Sequence, residues 1–115
     1  HLLQSCETIP RTRGYQVDKS YGVRRTDMWT PDLNLGIEAV ADWQEKKELS
    51  LIRILSETNY KMQAERLAVV TPDDMPEWSF EAILRVEKGG VFPNLTVLRL
   101  ADFPTFLDKL ENQAD

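Results

Sequence analysis

The sequence has few of the residues on which many catalytic sites depend. Its 115 residues include one cysteine, Cys6, and one histidine, His1. A single cysteine excludes an internal disulfide and a cysteine-rich zinc site. With one histidine, at the terminus, we do not expect a catalytic triad or a Cys–His pair within this chain. Low cysteine content is typical of reducing compartments, so we expect an intracellular location, cytoplasmic, nucleoid or nuclear.

Long apolar runs and glycine-rich loops are also missing. No run approaches the ~20 residues of a membrane-spanning helix, and no secretory signal pattern is present, so we expect no membrane partner. No glycine-rich phosphate loop occurs. We expect one domain over residues 1–115. Because the chain begins at His1 without methionine, we interpret it as truncated: a fragment of a larger protein, a processed chain or a tag remnant. A homodimer is also compatible with the sequence.

The charge is unevenly distributed. The net charge is −5, but residues 11–26 carry +4 and residues 27–115 carry −8. Only the first of these segments would attract phosphate groups. It is either a nucleic-acid contact or a solvated, flexible arm. The candidate nucleic-acid-binding residues are Arg11, Arg13, Lys19, Arg24 and Arg25.

Periodicity predicts an α/β fold with a mixed central sheet flanked by helices. Three strands form a meander, and a helix then leads to a parallel strand, because a helical connection returns the chain in the same direction. Residues 30–34, "TPDLN", have the composition of a turn. We expect helices at 1–8, 44–62, 73–90 and 103–113, with Asp74 capping the third, and strands at 14–21, 23–29, 35–41, 66–72 and 94–101.

Two carboxylates fall opposite each other in this predicted hairpin. If the turn is centred between residues 32 and 33, Asp27 on one strand faces Glu38 on the next. Opposite residues in a sheet have Cβ atoms roughly 4.5–5.5 Å apart, where like charges destabilise the pair. A divalent cation would remove that repulsion, and Mg²⁺ is often bound by one or two carboxylates with waters and a substrate phosphate. The pair is therefore a candidate site for Mg²⁺ or Mn²⁺.

The residues "RRTD", a tight turn and "GIE" resemble the motif of the PD-(D/E)xK nuclease superfamily, which has the restriction-endonuclease-like fold. The order of elements between about residues 15 and 105 is similar as well. The resemblance implies a metal-dependent nuclease acting on DNA or RNA. It implies metal ligands at Asp27 and Glu38 and at the main-chain carbonyl of Ala39. The dipeptide "PD" itself occurs at Pro31-Asp32, so Asp32 is an alternative to Asp27 for the aspartate of the motif. We prefer Asp27 and interpret Asp32 as a turn residue.

The chain departs from the family pattern at one position. The motif has a lysine two residues after the glutamate, and Val40 stands there. In some members a lysine from the following helix takes this role, which makes Lys46 and Lys47 candidates. Arg25 shares strand parity with Asp27, so it would contact either a scissile phosphate or one of the two carboxylates. Glu7 of the first helix is a candidate third carboxylate of this site, but we prefer to interpret it as an exposed surface residue.

Three functions are compatible with these features. The first is a metal-dependent nuclease. The second is a catalytically inactive nuclease-fold module that binds nucleic acid or protein. The third is an unrelated α/β interaction domain with solvated carboxylates. We interpret Trp29, Trp43 and Trp78 as core residues, although tryptophan also stacks on bases.

Overall fold

The computed structural model describes residues 1–20 and 24–113. This part of the chain contains four α-helices, five β-strands and three short 3₁₀ segments. The helices are α1 Leu2–Thr12, α2 Glu48–Met62, α3 Glu77–Lys88 and α4 Phe103–Gln113. The strands are β1 Asp18–Lys19, β2 Met28–Thr30, β3 Leu35–Ala39, β4 Arg66–Thr71 and β5 Leu95–Arg99. The 3₁₀ segments are Pro31–Leu33, Glu45–Lys47 and Leu100–Asp102.

The strands form one mixed sheet in the order β1-β2-β3-β4-β5. The first three strands are antiparallel neighbours, whereas β3, β4 and β5 run parallel. Met28 pairs with Ile37, which is the register predicted for the hairpin. Asn34 closes the turn in the left-handed region at φ 51°, a conformation that asparagine tolerates better than most residues. The predicted meander followed by a parallel crossover is therefore confirmed.

Helices cover both faces of this sheet, because alternate residues of its central strands are apolar on both sides. Ala68 and Val70 of β4 pack with residues from α1 and α4, whereas Leu67 and Val69 pack with residues from α2 and α3. The largest buried side chains on the first face include Met28, Ile37 and Phe103. Two apolar clusters therefore lie on opposite sides of one sheet, and β3, which carries Glu38, is its middle strand.

Two predicted strands are much shorter than expected. The strand predicted at 14–21 is reduced to β1, and the one predicted at 23–29 is reduced to β2, with residues 24–27 outside the ladder. Positions 21–23 of both predictions lie outside the described residues. Residues 24–26 leave the sheet because Thr26 is fully buried against α2, where its N–H donates to Thr58 Oγ1 at 2.7 Å.

Two predicted helix ends are also wrong. The first helix does not stop at residue 8; it continues through the buried Pro10 to Thr12. Proline in a helix interior removes one main-chain hydrogen bond, and here packing of that turn offsets the loss. Asp74 does not cap α3, which begins after Pro76 without a side-chain cap.

No helix in residues 1–20 or 24–113 has the length and apolar character needed to span a bilayer.

Candidate metal site

Asp27 and Glu38 meet at the open end of the β2–β3 hairpin. The Asp27 N–H donates to Glu38 Oε1 at 2.9 Å, and the Ala39 N–H donates to Asp27 Oδ2, also at 2.9 Å. Asp27 lies one residue before β2 begins, and its carbonyl accepts from the Ser20 N–H at 3.0 Å. Toward β3, the two carboxylates are the acceptors for the Asp27 and Ala39 N–H groups. This reciprocal bonding fixes both carboxylates relative to the backbone.

A close packing arrangement holds Asp27 in this position. Thr26, the preceding residue, lies between α2 and Gly36 of β3. A Cβ on Gly36 would come within 2.9 Å of both Thr26 Oγ1 and Thr58 Cγ2. Thr58 accepts from the Thr26 N–H and donates to the Ile54 carbonyl at 2.9 Å. Glycine at position 36 thus allows the chain before Asp27 to pass directly over the strand that carries Glu38.

The electrostatics of the pair follow from burial and proximity. Burial, together with the neighbouring Asp27 carboxylate, raises the pKa of Glu38 to about 8. Burial disfavours the charged form of a carboxyl group, and a second carboxylate adds repulsion. The folded pair therefore retains a proton to a higher pH than an isolated, exposed carboxyl group does. A divalent cation would favour the doubly ionised pair instead.

Asp27 and Glu38 line two different surface cavities of about 320 Å³ each. One is lined by Glu38, Ala39 and Val40 together with Lys47 and Ser50 of the following segment. The other is lined by Asp27 and by residues of α1 and β1. Both cavities open to the surface, so solvent can approach either carboxylate.

Asp32 is separated from this pair. It lies in the 3₁₀ turn Pro31–Leu33, at the opposite end of the hairpin from Asp27. Its Oδ2 accepts from the Gln16 N–H at 2.9 Å, which ties the chain before β1 to the turn. Asp32 is therefore a turn residue, as we interpreted it from the sequence. Ala39, the candidate carbonyl ligand, does lie at the pair, since its own N–H binds Asp27.

The two candidate lysines occupy different environments. Lys47 lines the same cavity as Glu38 and forms an ion pair with Asp42. Lys46 is exposed and is not among the residues that line this cavity. Val40, where the family motif has lysine, is half-buried against the apolar cluster shared with α2 and α3. Lys47 is therefore the better placed of the two lysines.

Most of the basic segment is engaged in contacts within the chain. Arg11 and Lys19 both pair with Glu7, at 2.6 Å in each case. Arg13 bonds to Glu111 of α4 at 2.9 Å and also pairs with Asp108. These contacts anchor residues 11–20 to the helices. This part of the basic segment is therefore not a flexible arm.

Arg24 and Arg25 behave differently from each other. Arg24 is exposed. Arg25 is half-buried and donates to Ser20 Oγ at 2.7 Å and to Met62 Sδ at 2.9 Å, and it forms no ion pair with Asp27 or Glu38. Arg24 is thus available to a phosphate at the surface, whereas Arg25 supports the bend before Asp27.

Glu7 was considered as a third carboxylate of the site, but an exposed surface position was preferred. The expectation of an exposed glutamate is wrong: 14% of its side chain is exposed, and it lines the same cavity as Asp27. Its two ion pairs with Arg11 and Lys19 hold its pKa below the usual value, chiefly through the bond to Lys19. The amphipathic pattern of α1 was the only local signal for this placement.

Within residues 1–20 and 24–113, no three His, Cys, Asp or Glu side chains converge to hold a metal ion. Two carboxylates with waters and a substrate oxygen still match how Mg²⁺ is commonly bound. Comparisons with protein-family models, curated proteins and solved structures each gave no significant match.

Proposed function

We propose that Asp27 and Glu38 bind Mg²⁺ or Mn²⁺ and that this domain hydrolyses phosphodiester bonds in nucleic acid. The observation that carries the proposal is the contact between two partly buried carboxylates at the end of one hairpin, locked by reciprocal main-chain bonds. Such a pair is unfavourable when both groups are charged, and a divalent cation removes the repulsion. A bound cation would polarise the phosphate and lower the pKa of the attacking water.

The order of elements supports the nuclease proposal. A helix, three antiparallel strands, a helix and a parallel strand follow one another in this chain, as in the restriction-endonuclease-like fold that the motif resembles. In this proposal the aspartate precedes the second strand and the glutamate lies on the third. The Ala39 carbonyl would be the third protein ligand.

Lys47 is the residue that we assign to positioning the water or the phosphate. It lines the cavity that contains Glu38, and its partner Asp42 lies in the same cavity. Asp42 is exposed, so the ion pair is worth little and can be exchanged for a phosphate. Arg24 is the exposed cation before Asp27 that we assign to the nucleic-acid backbone.

A catalytically inactive nuclease-fold module is the second candidate function. Two observations favour it: Val40 replaces the lysine of the motif, and Lys47 is held by Asp42. In this case the carboxylate pair would serve mainly to close the hairpin, and the domain would bind nucleic acid or protein without cleaving it.

Calorimetric titration with Mn²⁺ tests the metal site separately from catalysis. The unmodified protein should bind the ion, Glu38→Gln should lose binding, and Glu65→Gln, an exposed charge-matched control, should retain it. Cleavage of labelled single- and double-stranded DNA and RNA then separates the two functions. Binding with Glu38-dependent cleavage supports the nuclease, and binding without cleavage supports the inactive module. Absence of Mn²⁺ binding contradicts the metal site.

A further inference from the structure

Trp78 differs from the other two tryptophans in its environment. Trp29 and Trp43 are each 7% exposed, whereas Trp78 is 69% exposed in the first turn of α3. The core interpretation of Trp78 is therefore wrong. A large aromatic ring left in water contributes little to the core, and exposed aromatic residues are enriched at binding surfaces.

The Trp78 ring lines a groove of about 640 Å³. The helices α2 and α3 both begin just beyond the ends of parallel strands, so their first turns lie at the same edge of the sheet. In open α/β sheets this edge is where ligands commonly bind. The groove is lined by Trp43, Glu45, Glu48, Trp78, Ala82 and Arg85.

The charge around this groove favours a cationic occupant. Two carboxylates, Glu45 and Glu48, and one cation, Arg85, are the charged residues that line the groove. Glu45 and Glu48 are exposed and form no ion pair in the described ranges. Arg85 lies two helical turns beyond Trp78, farther from the first turn of α3. A nucleic-acid backbone would be repelled at the open end of the groove.

We propose that this groove binds a basic peptide segment of a protein partner, with a lysine or arginine side chain against the Trp78 ring. Tryptophan is the most favourable aromatic residue for a cation–π contact, and nearby carboxylates add electrostatic attraction. The groove is formed by different residues from the Asp27–Glu38 site, apart from Trp43, which borders both cavities. This proposal stands whether or not the domain is a nuclease.

Fluorescence anisotropy with a labelled peptide of alternating arginine and glycine tests the proposal. Trp78→Ala should weaken peptide binding by about two- to fivefold, the effect of a cation–π contact at an exposed site. Tyr60→Ala is the matched control, because Tyr60 is 83% exposed near the other end of α2. Glu45→Gln should weaken binding in a salt-sensitive manner, and Glu65→Gln, on the segment before β4, should weaken it less.

Three results would overturn the proposal. Equal affinities for Trp78→Ala and Tyr60→Ala, or no peptide binding at low salt, would show that the ring is not a peptide contact. Trp78-dependent binding of labelled oligothymidine in place of the peptide would assign the groove to nucleic acid. Circular dichroism of the variants should be unchanged, because each substituted side chain is exposed.

Discussion

Asp27 and Glu38 hold each other through the main chain: the N–H of Asp27 donates to Glu38 Oε1, and Asp27 Oδ2 accepts from the residue after Glu38. Each of these bonds uses one carboxylate oxygen. The second oxygens are the atoms through which a shared proton or a bound cation would join the two groups. If the proposed metal site is correct, a bound cation would take the place of the shared proton between the two carboxylates.

We predict that the metal-free protein loses stability as the pH rises from about 4.5 to about 8. The unfolded chain ionises Glu38 near 4.5, whereas the folded chain retains its proton up to about 8. Between these values the folded state binds more protons, so its stability falls with increasing pH. The loss should be at most about a few kcal/mol.

Chemical unfolding of the metal-free protein at a series of pH values measures this loss. Glu38→Gln mimics the protonated group and should remove the decline, whereas Glu65→Gln should preserve it. An unmodified protein that is equally stable at pH 5 and pH 8 would contradict the assigned environment of Glu38.

We predict that Gly36→Ala destabilises the domain by about 1–3 kcal/mol, the usual range for overpacking. The new Cβ would come within 2.9 Å of Thr26 Oγ1 and Thr58 Cγ2, and within 3.1 Å of Leu67 Cδ2. Because Thr26 precedes Asp27, the same substitution should also weaken Mn²⁺ binding.

Urea unfolding measures the free energy of unfolding of Gly36→Ala, and a second glycine-to-alanine variant is the matched control. Gly89→Ala has an ordinary φ of −66°, and its Cβ would approach the Arg85 carbonyl oxygen at 3.2 Å, so it should destabilise the domain less than Gly36→Ala. Thr58→Ser removes the clashing methyl group but keeps the hydroxyl, so it should restore part of the stability in the Gly36→Ala background. Equal effects of Gly36→Ala and Gly89→Ala would show that the packing at Thr26 is not tight.

The hairpin was predictable because its signals are local. Pro31 and Asn34 define the turn, and the position of the turn sets the register of the two strands. That register places Asp27 opposite Glu38. The bend at residues 24–26 was not predictable, because it depends on Thr26 meeting α2, whose residues are 32 positions away. Tertiary packing overrides the strand propensity of that stretch.

The residues around the candidate site also divide into features that the sequence shows and features that depend on long-range packing. The sequence shows directly that Val40 stands where the family motif has lysine. The placement of Glu7 beside Asp27 is not visible in the sequence, because it depends on how α1 packs across β3. The anchoring of Arg13 by Glu111 joins residues 98 positions apart, so the sequence alone could not decide whether the basic segment is a flexible arm.

We predict that Arg24 and Arg11 carry any salt-dependent nucleic-acid binding by the basic segment. Arg24 is exposed, and 51% of the Arg11 side chain is exposed despite its ion pair. Each phosphate contact adds about −0.7 to −0.9 to the slope of log affinity against log salt concentration. Substituting either arginine by alanine should reduce the slope by that amount.

Arg13→Ala provides the contrast within the same segment. It removes the bonds to α4 and should lower the melting temperature while leaving the salt slope unchanged. Anisotropy titrations of labelled DNA and RNA between 50 and 200 mM salt, about the range in which such slopes are measured, check this assignment. A slope that changes only with Arg13→Ala would contradict it.

We predict that Val40→Lys raises metal-dependent cleavage by at least about tenfold if the domain is a nuclease. Val40 lines the same cavity as Glu38, so a lysine stem can extend along the apolar wall and place its ammonium group in the cavity. There it would occupy the motif position, two residues after the glutamate, and could contact the phosphate or the attacking water. It would also favour ionised Glu38 and lower the pKa of that group.

Val91→Lys adds the same charge at a site that is 70% exposed and should leave cleavage unchanged. Cleavage assays with Mn²⁺, together with unfolding curves, separate the outcomes. A folded Val40→Lys protein that binds Mn²⁺ without increased cleavage would favour the inactive module. Destabilisation by several kcal/mol, about that of a buried unpaired charge, would instead show that residue 40 belongs to the core and that the lysine does not reach the cavity.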